Sequence, residues 1–120
     1  MAKKLQTVFF IDDDMMSNLN GKRIVIKTNL AETVFTAESA IEALDLLQHK
    51  FIPSGNLPEL IFLDINMPEI TGWDFIEHFK LLGVEKGKTK IILLSSSDDE
   101  ADREKALKIP EVSGYKIKPL

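Results

Sequence analysis

Short, uninterrupted apolar runs recur along this chain, and two of them stop abruptly at carboxylates. Val8-Phe9-Phe10-Ile11 runs into Asp12-Asp13-Asp14, and Leu60-Ile61-Phe62-Leu63 runs into Asp64, followed by Ile65-Asn66-Met67-Pro68. A strand buried on both faces reads as such a run, without the alternation of a half-exposed strand. Strands of that kind belong to parallel sheets, whose ligands gather beyond the carboxyl ends of the strands. A single Asp before a Pro is equally a turn signal. The weight therefore falls on what else the fold brings to the same edge.

The remaining segments fix the order of elements. Met15 to about Ile26 has apolar residues at 15, 16, 19, 24 and 26, which suggests a helix that Gly21 weakens. Glu32–Thr36 reads as a short second strand. Ser39 to Gln48 is amphipathic, with Ile41, Leu44 and Leu47 on one stripe and Ser39 with Glu42 as a capping box. "IPSGNLP" is a loop. A helix is expected from Trp73 to about Leu82, stopped by Gly83, then a strand at Lys90–Leu94. A charged helix follows from Asp98 to about Leu107, capped by Ser97 with Glu100, and a last strand at Tyr115–Lys118. The order β-α-β-α-β-α-β-α-β implies an α/β fold, a doubly wound five-stranded parallel sheet with right-handed crossovers. At 120 residues it is one domain, 1–120.

Composition removes several classes of function. With no cysteine, disulfides and thiolate metal sites are excluded. A net charge of −4 argues against direct nucleic-acid binding. The only apolar run before the first acids is the four residues Val8–Ile11, short of the about 7–15 of a secretory signal. No run approaches the about 20 residues that span a bilayer. The expected location is the cytoplasm, without membrane attachment.

In a parallel sheet Asp12-Asp13-Asp14, Asp64, Ser95-Ser96-Ser97 and Lys118-Pro119 all follow strands and share one edge. Each has a dull explanation, as a helix cap or a solvated charge, but four at one edge favour a shared site. Like charges at 4 Å repel by roughly 4 kcal/mol at an effective dielectric of 20, so converging carboxylates need a cation. All-oxygen ligands without sulfur suit Mg²⁺, or Mn²⁺ in its place. With Lys118, such a site could bind phosphoryl oxygens and make Asp64 a carboxylate nucleophile.

"VFFIDD", "IFLDINMP" with the following Gly72, "IILLS" and "GYKIKP", in this order and spacing, make the chain resemble the receiver domain of two-component response regulators. The resemblance implies the flavodoxin-like receiver fold with strand order 2-1-3-4-5. It implies that Asp64 accepts a phosphoryl group from a histidine kinase or phosphotransfer protein. Asp13 and Asp12 would hold the metal, directly and through water, with Asp64 and the backbone carbonyl of Asn66. Ser95 and Lys118 would bind the phosphoryl oxygens, Tyr115 would be the aromatic switch residue, and Asn66 and Ser97 would tune phosphoryl lifetime. Apart from its own phosphorylation and dephosphorylation, such a domain is not an enzyme, and it acts on a downstream protein or output domain.

The pattern departs in two places. Receivers close with a fifth helix, and only Leu120 follows Pro119 here. The expectation is a trimmed part of a longer chain; otherwise, the open apolar surface would favour a homodimer. "KIPEVSGY" also brings a proline into the turn before the last strand. The main rival reading is a haloacid-dehalogenase-type phosphatase with Asp12 as nucleophile in Asp12-x-Asp14. Met16 does not fit it, nor does the absence of an acidic pair after Lys118. A flavodoxin-like cofactor binder fits poorly with three acids in its first loop, a calcium loop lacks its spacing, and a plain interaction module is the bland alternative.

Overall fold

The computed structural model describes residues 5–84, 87–96 and 98–118. Five strands, β1 (Leu5–Ile11), β2 (Ala31–Ala37), β3 (Leu60–Asp64), β4 (Lys90–Ser95) and β5 (Val112–Ile117), form one parallel sheet ordered β2-β1-β3-β4-β5. This is the doubly wound order expected. Its register sets Phe9 beside Phe35 and Ile61, and Leu93 beside Leu63 and Tyr115.

Because successive side chains in a strand point to opposite faces, the apolar runs feed two cores. Phe9, Ile11, Ile61, Leu63, Ile91 and Leu93 enter one face, and Val8, Phe10, Phe62 and Leu94 the other. Fully burying each such side chain contributes about 1.5–3 kcal/mol. That is why the runs lack polar breaks. The first face is covered by α2 (Ala40–Leu46), α3 (Gly72–Leu81) and α4 (Glu100–Leu107), and the second by α1 (Met15–Thr28). The expected fifth helix is not among the described residues, so one face carries one helix and the other three.

α1 begins at Asp14, whose carboxylate caps the Met16 N–H, and ends at Asn29 in the left-handed region at φ 56°. Its buried residues are Asn18, Gly21 and Val25, whereas Met15, Met16 and Ile26 are each 64% exposed. The helix is as expected, but its apolar residues are not its core face. Gly21 explains the packing: a Cβ there would lie 2.4 Å from Phe10, which stacks on Phe62 at 4.8 Å.

α2 starts at Ser39, whose Oγ accepts from Glu42 N at 3.0 Å. The Glu42 carboxylate reaches Glu38 N at 3.4 Å instead of Ser39 N, so only half of the expected capping box forms. The helix also runs past Gln48, through a π-helical turn (Leu47–Phe51) and a last stretch (Ile52–Ser54), and the loop begins at Gly55. In a regular helix the Pro53 ring would press on the His49 carbonyl. The wider turn, with Ile52 N–H bonded back to Leu47 O, relieves this. It also sets Phe51 edge-on to Phe9 and Phe35, at 5.5 and 5.0 Å.

α3 has a full capping box between Thr71 and Asp74, and Gly83 follows it at φ 73°. α4 is capped by Asp99, which accepts from Ala101 N and Asp102 N at 2.9 and 3.3 Å. The expected cap, Ser97, lies outside the described residues, as do Pro119 and Leu120. β5 starts at Val112, three residues before the expected Tyr115. Among the described residues no helix is long and apolar enough to cross a membrane.

Candidate functional site

Parallel strands place their carboxyl ends together, and β1, β3, β4 and β5 deliver Asp12, Asp64, Ser95 and Lys118 to one edge. Asp12 is 2% exposed and Asp64 3%, so both carboxylates are nearly out of water. Asp12 N–H donates to Ala37 O at 3.1 Å, and Asp12 Oδ1 accepts from Asp14 N at 2.9 Å. Asp64 ends β3, and the next amide, Ile65 N–H, donates to Leu94 O at 3.0 Å. The loop then turns back through Glu69 at φ 67°, with Met67 buried, and Gly72 N–H donates to Ile65 O at 2.8 Å. A Cβ on Gly72 would lie 2.6 Å from the Asp64 carbonyl oxygen. Only glycine lets α3 begin so close behind the acid.

Lys118 carries the cation. Its Nζ is 2.6 Å from Asp12 Oδ2 and 3.3 Å from Asp64 Oδ1. The shorter contact is an ion pair without regular hydrogen-bond alignment. Lys118 N–H also donates to the carbonyl of the fully buried Ser95 at 2.7 Å, which ties lysine and serine together. Tyr115 is half-buried, with the Arg103 guanidinium 5.5 Å from its ring centroid. Asn66 and Asp13 are exposed, and Trp73 packs against the core with Lys105 over its ring at 4.5 Å.

Burial and the neighbouring charge of Asp12 push the Asp64 carboxyl up to about 7, opposed by Lys118, while the hydrogen bond that its protonated form donates to Asp13 adds to the rise. Burial alone would lower the pKa of Lys118, but its bonds and charge pairing with Asp12 and Asp64 outweigh it and raise the value. One lysine does not compensate this group of acids. Asp12, Asp13 and Asp64 each offer a carboxylate oxygen, all within 4.8 Å of one another. Hard oxygen donors with excess negative charge fit a divalent cation such as Mg²⁺ or Mn²⁺. With it, the edge combines a cation site, a carboxylate and an ammonium group.

The structure thus brings together Asp12, Asp13, Asp64, Ser95 and Lys118, with Asn66 two residues along the loop and Tyr115 on β5, the strand that ends just before Lys118. Asp14 is exposed and caps α1. Sequence reasoning missed Asn18, whose side chain donates to the carbonyls of Asp12 and Ala37 at 2.9 and 3.0 Å. Its spacing with Gly21 and Val25 on the buried stripe was the available signal. The geometry adds nothing to the phosphatase reading: Asp12 Oδ1 accepts from Asp14 N–H, and Oδ2 pairs with Lys118.

The family model described as "Response regulator receiver domain" matches residues 8–120. A crystal structure of a two-component response regulator from Cytophaga hutchinsonii is similar at a TM-score of 0.92 and 36% identity, covering 98% of this chain and 89% of that one. The receiver domain of the histidine kinase CKI1 from Arabidopsis thaliana, solved with Mg²⁺ and BeF₃⁻, shares the fold at a TM-score of 0.70 and 23% identity, over 83% of this chain and 72% of that one. The "Regulator of RpoS" of Escherichia coli K12 is 30% identical over 93 residues, 78% of this chain. The chain spans about a quarter (25%) of that curated relative's length.

Proposed function

The chain belongs to the response regulator receiver family, and from that premise we propose that it is a phosphorylation-driven signalling switch with Asp64 as the acceptor. The observation that carries the reading is Lys118, whose ammonium lies between Asp12 and Asp64 while its backbone holds Ser95. One Asp64 oxygen attacks the phosphorus of a phosphohistidine on a histidine kinase or phosphotransfer protein. An O–P bond forms as the N–P bond breaks, and the electron pair leaves with the imidazole nitrogen. Lys118 and the Ser95 hydroxyl bind the phosphoryl oxygens. Attack of water on phosphorus later breaks the O–P bond and returns the carboxylate.

Asp12, Asp13, Asp64 and the Asn66 carbonyl would hold Mg²⁺, which supplies positive charge against the phosphoryl oxygens. Phosphorylation adds about −1.5 to −2 charges. Two or three new charge-assisted hydrogen bonds at about 1.5–3 kcal/mol each compare with the about 5.5 kcal/mol that inverts a 1:99 equilibrium. Ser95 and Lys118 are drawn to the phosphoryl group, and Tyr115 follows, so the surface of α4 and β5 changes for a downstream protein or output domain. The whole chain, 1–120, acts as the receiver, in the cytoplasm, with no turnover beyond its own phosphorylation and dephosphorylation.

Intact-mass measurement after incubation with Mg²⁺ and acetyl phosphate tests this. The expected result is one added phosphoryl group on the wild type and on Asp12→Asn at a reduced rate, and none on Asp64→Asn. Labelling that survives Asp64→Asn and disappears with Asp12→Asn would overturn the assignment of the acceptor.

A further inference from the structure

We propose that Asn18 is a positioning residue for the metal-holding loop, a role that rests on the receiver reading of Asp12 and Asp13. Asn18 lies on the sheet-facing stripe of α1 and is 4% exposed. Its Nδ2 donates to the Asp12 carbonyl at 2.9 Å and to the Ala37 carbonyl at 3.0 Å. Both partners are pure acceptors, and the two N–H donors of one amide NH₂ serve them together without adding a charge. The same Ala37 carbonyl accepts Asp12 N–H at 3.1 Å. Asn18 therefore closes a ring that ties both backbone polar groups of Asp12 to the end of β2.

The consequence falls on Asp13. The Asp12 carbonyl belongs to the peptide group joining Asp12 to Asp13, and that group is planar. Fixing its oxygen fixes the plane, and with it the direction in which Asp13 leaves the strand end. On the other side, Asp14 N–H holds Asp12 Oδ1 at 2.9 Å. The two bonds from Asn18 come with an unfavourable feature: its buried Oδ1 has no hydrogen-bond partner, which is destabilising. A leucine would fill the same space without that orphan acceptor, but it would leave the Asp12 carbonyl, and so the orientation of Asp13, unfixed. Groups that hold a metal's ligands in place without touching the metal orient them, and their loss typically weakens metal binding about 10–100-fold.

The test is Mn²⁺ affinity, read by electron paramagnetic resonance, on wild type and Asn18→Leu, with phosphorylation by acetyl phosphate followed against Mg²⁺ concentration. A loss of affinity of about 10-fold or more, with phosphorylation recovering as Mg²⁺ is raised, is the expected result. A folded Asn18→Leu protein with a lower unfolding midpoint but unchanged Mn²⁺ affinity would mean a purely structural role and overturn the proposal. Where Asn18→Leu does not fold, Asn18→Ser keeps one donor, and a smaller loss of affinity is expected; unchanged affinity again overturns it. Wild-type protein that binds no Mn²⁺ sinks the receiver reading itself, a failure seen before any variant is made.

Discussion

On the reading proposed for Asp64, one buried residue governs both chemistry and stability. Its carboxyl titrates near about 7 in the fold against 3.8 ordinarily, so between those values the folded state holds a proton that the unfolded state has lost. Unfolding then releases a proton, and this contribution to stability is full below 3.8 and declines as pH rises to about 7. Asp64→Asn, which cannot ionise, is expected to raise stability at pH 8 in the presence of EDTA, and the gain should shrink to nothing by about pH 4. Urea unfolding at pH 8, 6 and 4 checks this; a gain that is equal at every pH would contradict it. The acids, Ser95 and Lys118 were legible in the sequence because each ends a strand, where a polar side chain after an apolar run is conspicuous. Asn18 was not, because an asparagine inside a helix is ordinarily at the surface, and only its place beside Gly21 and Val25 in the folded stripe shows its bonds.

Among the elements, α2 and α1 departed furthest from their sequence patterns. Periodicity identified α2 as far as Gln48, but the π-helical turn from Leu47 changes the period, and the Pro, Ser and Gly of "IPSGNLP" made Ile52–Ser54, the helix's last stretch, read as loop. That turn swings Phe51 into contact with Phe9 and Phe35. Phe51→Ala should therefore cost about 3–5 kcal/mol in the free energy of urea unfolding, as expected of a core residue. A value below about 1 kcal/mol, the range of surface changes, would place Phe51 outside the core. In α1 the pattern was misleading for another reason. Its core face is built from an asparagine, a glycine and a valine, small enough to approach Phe10, while methionines and isoleucine lie outward. Hydropathy marks a face only when the buried side chains are also the large apolar ones, and close packing on an aromatic ring reverses that.

For the molecule as a whole, the alternation of elements made the parallel sheet legible, while the strand order came from the family resemblance; that order makes stability unevenly distributed. β1, β3 and β4 have neighbours on both sides, whereas β2 and β5 are edges. Native-state hydrogen exchange should accordingly be slowest at Phe9–Ile11, Ile61–Leu63 and Ile91–Leu94, with β2 and β5 exchanging faster. Equal protection in all five strands would show that the sheet opens only as a unit. The pairing of Lys118 with Asp12 has a consequence for synthesis. Domains fold as they emerge, at roughly 5–20 residues per second, so the first acids appear roughly 5–20 seconds before the lysine that answers them. A nascent chain at that stage holds these acids without the lysine that pairs with them in the fold. Completion of the last strand completes the sheet and supplies the missing cation in the same event, so on the proposed reading a partly made copy has no competent acceptor.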